Sequence, residues 1–320
     1  MQAEPALFGA PGAESIFFIG SPEPSTGGFE GLGMILVSGA AGKTGLVVTR
    51  ALSTHGKRVR AWVRCEEYRQ RALLQGAAEV VVGDLRNPQD WQNALCGVEA
   101  VYHICPNMSP DEEHIAAILL EELPHLEGVR LVYHSVLHPQ VEAMPHHWAK
   151  MRVEERIFAS GVPFTILQPS AYFQNLLAFR QSILEQGCLN IPYSVQARLS
   201  MVDLQDVAEA AARVLCEDGH AGAIYELAGP QPVSHEQVAQ SLSRLLRRPI
   251  QAQTIPLEDW VKQAQRAGMS AYAVETLAKM FAYYDAHGLI GNARVLTCLL
   301  GRVPVSLEEF LSREFSSQGE

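Results

Sequence analysis

The chain has 320 residues, 48% of them hydrophobic and 19% charged, an ordinary globular composition that excludes a disordered or fibrous protein. Its formal net charge of −10 works against contact with a phosphate backbone, so no direct nucleic-acid partner is expected. No apolar run approaches the about 20 residues that a membrane-crossing helix requires.

Residues 1–33 differ from the rest. They hold no Lys or Arg but four prolines, seven glycines and four glutamates, which predicts a flexible tail without a catalytic role. The apolar stretch Ser15–Ile19 is too short for a secretory signal, and a transit peptide would be rich in arginine. Met34 opens the first strong strand and is itself a candidate natural start, which would make the tail an upstream extension.

From Met34 strands and helices alternate. The predicted strands are Met34–Val37, Arg58–Val63, Ala78–Val82, Val98–Ile104, Leu131–His134 and Phe164–Gln168. Between them lie helices ending near Ser53 and spanning Glu66–Gln75, Pro88–Leu95, Asp111–Leu123 and Met144–Ser160. Such alternation implies right-handed crossovers and a doubly wound, mostly parallel sheet. Past Pro169 a helix is expected at Ala171–Gln186, strands at Leu199–Val202 and Ala223–Leu227, and a helix at Leu204–Cys216 between those strands. Helices over Ser234–Arg247, Leu257–Ala267, Ser270–His287 and Leu307–Phe315 predict a smaller, mainly helical C-terminal lobe over the carboxyl edge of the sheet. Open α/β sheets bind ligands at that edge.

The first strand runs into Gly39-Ala40-Ala41-Gly42-Lys43-Thr44-Gly45. Glycines spaced this way at a strand–helix junction allow a tight turn, a close approach of pyrophosphate and tight packing of helix on strand. The helix N-terminus then offers N–H groups and a positive dipole end to an anion. A plain βα turn is the alternative. A phosphate loop of the GxxxxGK[ST] type is excluded, because Val37 stands where its first glycine belongs.

The second strand ends at Arg64, where an NAD site usually has an acidic residue. Arginine suits a 2′-phosphate, and Lys43 adds a second cation, so NADP(H) is expected over NAD(H). Asp84, after the third strand, stands where a carboxylate meets an adenine amino group; its alternative role is to cap a turn before Pro88.

These residues resemble a known family. Met34–Arg64, then Gly83-Asp84-Leu85, then Met144–Asn175 and Gly288–Phe310, are similar to the atypical short-chain dehydrogenase/reductases of the NmrA-like branch. The resemblance spans about 34–315 and is most specific in the PFTILQPSAYFQN stretch. It implies a Rossmann fold binding NADP(H), with an NAD(P)-binding domain over 34–228 and a lobe over 229–320 that completes the substrate cleft together with residues from 171–197. Some members reduce quinones and other small molecules. Others bind the dinucleotide as a regulatory signal and contact a protein partner.

The resemblance also supplies a catalytic template of Ser, Tyr and Lys, the last two as YxxxK on one helical face. Ser135 matches the serine and Lys150 the lysine, which would bind the nicotinamide ribose. His146 stands in place of the tyrosine, so ordinary carbonyl reduction loses its acid. Imidazole is a competent substitute near neutral pH. His147 points about 100° away around the helix. Cys105, Pro106 and Asn107 after the fourth strand, and Pro169, Tyr172, Phe173 and Asn175 after the sixth, are placed to wall the pocket. Cys105, Pro169 and Leu85 are placed against the cofactor, while Tyr172 is placed to orient or protonate substrate. Phe173 is read as core, and Cys105 as an inert buried thiol.

No metal is expected. The six cysteines form no CxxC pair or zinc spacing, and His134 and His138 lie on a strand end and a loop with no carboxylate companion. Without an export signal, unpaired cysteines suit a reduced, cytoplasmic protein. The sequence thus points to an NADPH-dependent oxidoreductase acting on a small quinone-like or aromatic acceptor. The alternative is a non-enzymatic NADP(H) sensor acting through a protein partner. An isomerase or epimerase has no positive feature, and self-association stays open.

Overall fold

A computed structural model describes residues 33–316. The predicted tail, Gly33 apart, lies outside the described residues. The apolar tetrad Met34–Val37 is β1, buried at every position, as a strand covered on both faces must be. There follow α1 (Lys43–Thr54), β2 (Arg58–Val63), α2 (Arg69–Leu73), β3 (Glu79–Val82), α3 (Pro88–Leu95), β4 (Val98–His103), α4 (Glu112–Glu122), β5 (Arg130–His134), α5 (Pro145–Ala159) and β6 (Phe164–Pro169). Next come α6 (Arg180–Gln186), β7 (Cys188–Ile191), α7 (Leu204–Cys216), β8 (Ala223–Leu227), α8 (His235–Leu246) and β9 (Gln251–Thr254). The last helices are α9 (Leu257–Arg266), α10 (Ala271–His287), α11 (Arg294–Leu300) and α12 (Leu307–Phe315).

Seven parallel strands form one sheet in the order β3-β2-β1-β4-β5-β6-β8. The chain winds outward from β1 to β3, then returns past β1 to β4. That reversal opens a crevice at the carboxyl ends of β1 and β4, where a doubly wound sheet accepts a ligand. One face packs under α1 and α7, the other under α3, α4 and α5. Ala208, Ala210, Ala211 and Ala212 leave α7 slim enough to lie close on the sheet. Asp203 caps α7 through the Gln205 N–H (2.8 Å). Asp206 on α7 accepts from Arg302 Nη2 and the Val305 N–H (both 2.6 Å), which fastens the C-terminal segment to this helix. A third apolar cluster joins the lobe to the loops after β5 and β6, with Phe173 stacked on Phe310 at 5.3 Å between ring centres.

Several predicted elements are corrected. Glu66–Gln75 is a 3₁₀ turn (Glu66–Tyr68) followed by the short α2. Ala171–Gln186 is not one helix: Tyr172 is extended, Phe173–Phe179 is 3₁₀ and only Arg180–Gln186 is α-helical. Leu199–Val202 is not a strand. Leu199 exchanges two backbone hydrogen bonds with Val233, the Ser200 N–H donates to the Leu289 carbonyl, and Val202 bonds with Ala171 and Phe173, so the segment makes isolated bridges to separate parts of the chain rather than a ladder. β7 and β9 form a separate parallel pair, and α11 is a further helix that the sequence does not announce.

Candidate active site

The glycine loop folds as its spacing demands. Gly39 lies in the left-handed region (φ +61°), and a side chain there would meet the Ile104 carbonyl at 3.0 Å. A Cβ on Gly45 would sit 2.3 Å from the Gly39 carbonyl and 2.6 Å from Ala40 Cα, so only glycine lets α1 approach β1 this closely. Gly42 ends the turn as the N-cap residue, without a side-chain cap, and no acid occupies the first turn of α1. The N–H groups at this helix end therefore face the crevice with a positive dipole and no internal anion. Lys43 Nζ reaches Asn175 Oδ1 at 3.4 Å, tying the loop after β6 to the glycine loop.

Arg64 leaves the end of β2 exposed, its guanidinium 5.9 Å from the Tyr68 ring centre and without an ion-pair partner among the described residues. Asp84 is engaged locally. It accepts from the Arg86 N–H at 3.0 Å and pairs with Arg86 Nη2 at 2.7 Å, and these bonds hold its carboxyl below the usual range. Leu85 is buried, its carbonyl accepting from Trp91 Nε1 at 2.7 Å. Asp84 and Leu85 thus build the turn into α3, the first with its carboxylate already shared.

Beyond β4, β5 and β6 lies a dense polar cluster. Lys150, on α5, is buried and donates to Glu112 Oε1 at 2.9 Å and to the His134 carbonyl at 3.1 Å. Tyr133 donates its hydroxyl to the same Glu112 oxygen at 2.8 Å. Burial alone would raise Glu112, but Lys150 and the Tyr133 hydroxyl hold it down at about 2. Ser135 donates to Glu154 Oε1, and Gln168 Nε2 donates to both Glu154 oxygens at 3.0 Å. Burial raises Glu154 despite those bonds. On the opposite side of the sheet edge, the His134 ring bridges two hydroxyls, Tyr102 at 2.6 Å and Tyr172 at 2.7 Å.

His146 sits one turn before Lys150, half-buried. Burial and the Lys150 charge pull its imidazole down to about 3, so it is neutral at neutral pH. A neutral ring donates a hydrogen bond but is no imidazolium acid. His147 is fully buried, its Nδ1 3.3 Å from the His138 carbonyl, and belongs to the core. Phe173 is likewise core. Cys105 is buried and burial pushes its thiol up, away from the reactive thiolate. Pro169 is buried at the end of β6, its carbonyl accepting from the Leu137 N–H at 2.8 Å.

Glu112, Tyr133, Glu154, Gln168 and Tyr102 were not singled out from sequence, and His134 was weighed only as a metal ligand. Their partners are 14 to 38 residues distant along the chain, so no local motif announces them. Among the described residues, buried side-chain atoms without a hydrogen-bond partner include Ser170 Oγ, one residue past β6, and Glu112 Oε2. Among the described residues no group of His, Cys, Asp or Glu is arranged to hold a metal, and no helix is long and apolar enough to cross a membrane.

An anion-ready glycine loop at the switch point, an arginine at the end of β2 without an ion-pair partner among the described residues, and the unpartnered Ser170 hydroxyl past β6 fit an extended phosphorylated dinucleotide. The fold and crevice define a Rossmann-type, dinucleotide-binding α/β protein. The NmrA-like family model matches residues 32–316, and the chain belongs to that family. It is 28% identical over 291 residues to the NAD(P)H azoreductase of Xenophilus azovorans, covering 89% of this chain and 99% of that protein. The NADPH-dependent quinone oxidoreductase of Escherichia coli, solved with NADPH, superposes with a TM-score of 0.78 at 26% identity over 88% of this chain and 100% of that one. The triphenylmethane reductase of Citrobacter sp., solved with NADP(H), gives a TM-score of 0.76 at 24% identity over 87% and 99%.

Proposed function

We propose that the chain is an NADPH-dependent oxidoreductase that transfers hydride to a small quinone-like or aromatic acceptor. The observation that carries the reading is the switch point at the carboxyl end of β1, where the glycine cradle and free helix end follow β1 and the exposed Arg64, without an ion-pair partner among the described residues, ends the adjoining β2. Gly39, Gly42 and Gly45 line the pyrophosphate site, with Lys43 and Thr44 on the first turn of α1. Arg64 faces the 2′-phosphate, which favours NADP(H) over NAD(H). Lys150 holds the nicotinamide ribose with its remaining N–H, two being spent on Glu112 and His134. Bound NADPH supplies the hydride, and a quinonoid acceptor asks little more of the protein than orientation and exclusion of water. His146 donates a hydrogen bond to the acceptor as a neutral imidazole. The relatives' names, azoreductase and quinone oxidoreductase, support this acceptor class. Six unpaired cysteines suit a reducing compartment such as the cytoplasm.

One observation favours a second reading, a dinucleotide sensor: the tyrosine of the YxxxK pair is His146, and Lys150 is already tied to Glu112. Steady-state loss of NADPH absorbance with panels of quinones and azo dyes separates the two. Turnover that collapses in Lys150→Ala supports the reductase. Tight NADPH binding without turnover on any acceptor, in wild type, makes the chain a sensor.

A further inference from the structure

Tyr102 lies on β4 with no exposed surface, and its hydroxyl has one partner, His134 Nδ1, at 2.6 Å. A buried hydroxyl proton that points at nothing is costly. The Tyr102 proton therefore lies on that bond, and Nδ1 accepts it. A neutral imidazole carries one N–H. Burial, with the Lys150 charge nearby, pulls His134 down to about 3, so the ring is neutral. With Nδ1 accepting, the ring proton is on Nε2 and is donated to the Tyr172 oxygen at 2.7 Å. Tyr172 cannot then give its own proton back to the ring. Tyr172 packs against the apolar cluster that holds Ala40 and Val48, and its loop is tied through Asn175 to Lys43, the neighbour of Thr44 in the first turn of α1.

We propose that Tyr102 and His134 are positioning residues for the dinucleotide, fixing Tyr172 as a one-way donor toward the glycine loop. The Tyr172 proton goes to the Thr44 hydroxyl or to a phosphate oxygen held beside it, and Thr44 is thereby turned to donate outward. The chain of donors runs Tyr102, His134, Tyr172, Thr44, from the core to the anion site. The inference rests on the dinucleotide-binding reading above. It gives Tyr172 a place at the pyrophosphate rather than at the acceptor. The loop that carries Tyr172 is held to the same turn by the Lys43–Asn175 contact.

The test uses the full chain with ¹⁵N-labelled histidine. Long-range ¹H–¹⁵N spectra report the His134 tautomer, with His134→Gln identifying its signals. Calorimetric titration with NADPH is run on wild type, Tyr102→Phe and Tyr172→Phe. The expected wild-type pattern is a protonated Nε2 and an accepting Nδ1 from pH 6 to 8. In Tyr102→Phe, which keeps the ring in the core, the pattern becomes a tautomer mixture and the NADPH Kd rises roughly 3- to 10-fold. Tyr172→Phe raises it by about 10-fold or more, the loss of one donor to a charged oxygen. A wild-type Nδ1–H tautomer overturns the proposal whatever the protein binds. An Nε2–H tautomer with a Kd unchanged in Tyr172→Phe overturns the delivery step alone. A wild type that shows the expected tautomer yet binds no NADPH overturns the dinucleotide reading itself.

Discussion

Lys150 neutralises a buried carboxylate and, in the proposed function, also holds a ribose; a double-mutant cycle with Glu112 separates the two roles. Its Nζ is 2.9 Å from Glu112 Oε1, with both side chains nearly inaccessible at 6% and 2%. At an effective dielectric constant of about 20, charges at that distance attract by about 6 kcal/mol. Desolvating the two ions costs several kcal/mol, so the pair as a whole is worth little. Removing one partner is different. Lys150→Met leaves a buried carboxylate with only the Tyr133 hydroxyl, at a cost of about 3–5 kcal/mol. At about 2 °C per kcal/mol for a chain of this length, Tm falls by about 6–10 °C. Combining Lys150→Met with Glu112→Gln removes both charges and keeps an acceptor for Tyr133, and most of the loss is recovered. Urea denaturation of the four proteins at pH 7 gives the coupling energy, expected at about 2 kcal/mol or more. The sign with pH is fixed by Glu112, which is depressed to about 2 from an ordinary 4.5. The pair's contribution is full above pH 4.5 and is lost as pH falls toward 2, so the coupling should vanish in acid. Additive single effects at pH 7 would refute the argument. If the double variant regains stability but not NADPH turnover, the ribose role stands apart from the structural one.

Gly45→Ala forces a methyl to 2.3 Å from the Gly39 carbonyl, so α1 must shift; about 1–3 kcal/mol of stability and most NADPH affinity should go, read by denaturation and titration. Arg64→Ala should weaken NADPH about 10-fold at low salt and leave NADH unchanged, and an equal loss for both would remove the 2′-phosphate assignment. His103, His134, His146, His147 and His235 are all depressed by burial, to about 4, 3, 3, 4 and 4. Each favours the folded state fully above its ordinary 6.5 and loses that contribution as pH falls through the folded value, so denaturation midpoints should start to drop below about pH 6.5. For the same reason the kcat profile should show no His146 step near pH 6.5, and His146→Gln, which still donates, should keep more activity than His146→Phe.

The elements legible in sequence are those whose own residues close their ends. Asn87 and Pro88 start α3, with the Asn87 side chain accepting from the Gln89 N–H at 3.0 Å. Capping boxes at Ser234 and Ser306 start α8 and α12. Leu199–Val202 is mostly apolar, as a strand is, but its neighbours meet it only at single bridges and no ladder forms. Gln251–Thr254 (QAQT) has no apolar alternation at all and is a strand only because Cys188–Ile191 pairs with it. Arg294–Leu300 spans two turns, too short for a helical period to declare itself. In each case pairing or packing from elsewhere overrode or supplied the local preference.

The site divides in the same way. The glycine loop is local chemistry, a turn and a helix start within seven residues, and its sequence announces it. The polar cluster is made by packing, and the alternation of β5 explains its shape. Successive side chains on a strand point to opposite faces. Tyr133 points to the α4 and α5 side and meets Glu112; His134 points to the α1 and α7 side and meets Tyr102 and Tyr172. The two networks are joined through the backbone, since Lys150 donates to the His134 carbonyl. A single pair of strand residues therefore anchors both Lys150 and Tyr172. Their spacing is set by one peptide unit rather than by the loops that carry Tyr172 and the glycines. A β5 that shifted by one residue would exchange the faces and break both networks at once, which makes the register of Tyr133 opposite His103 a structural condition for the whole site.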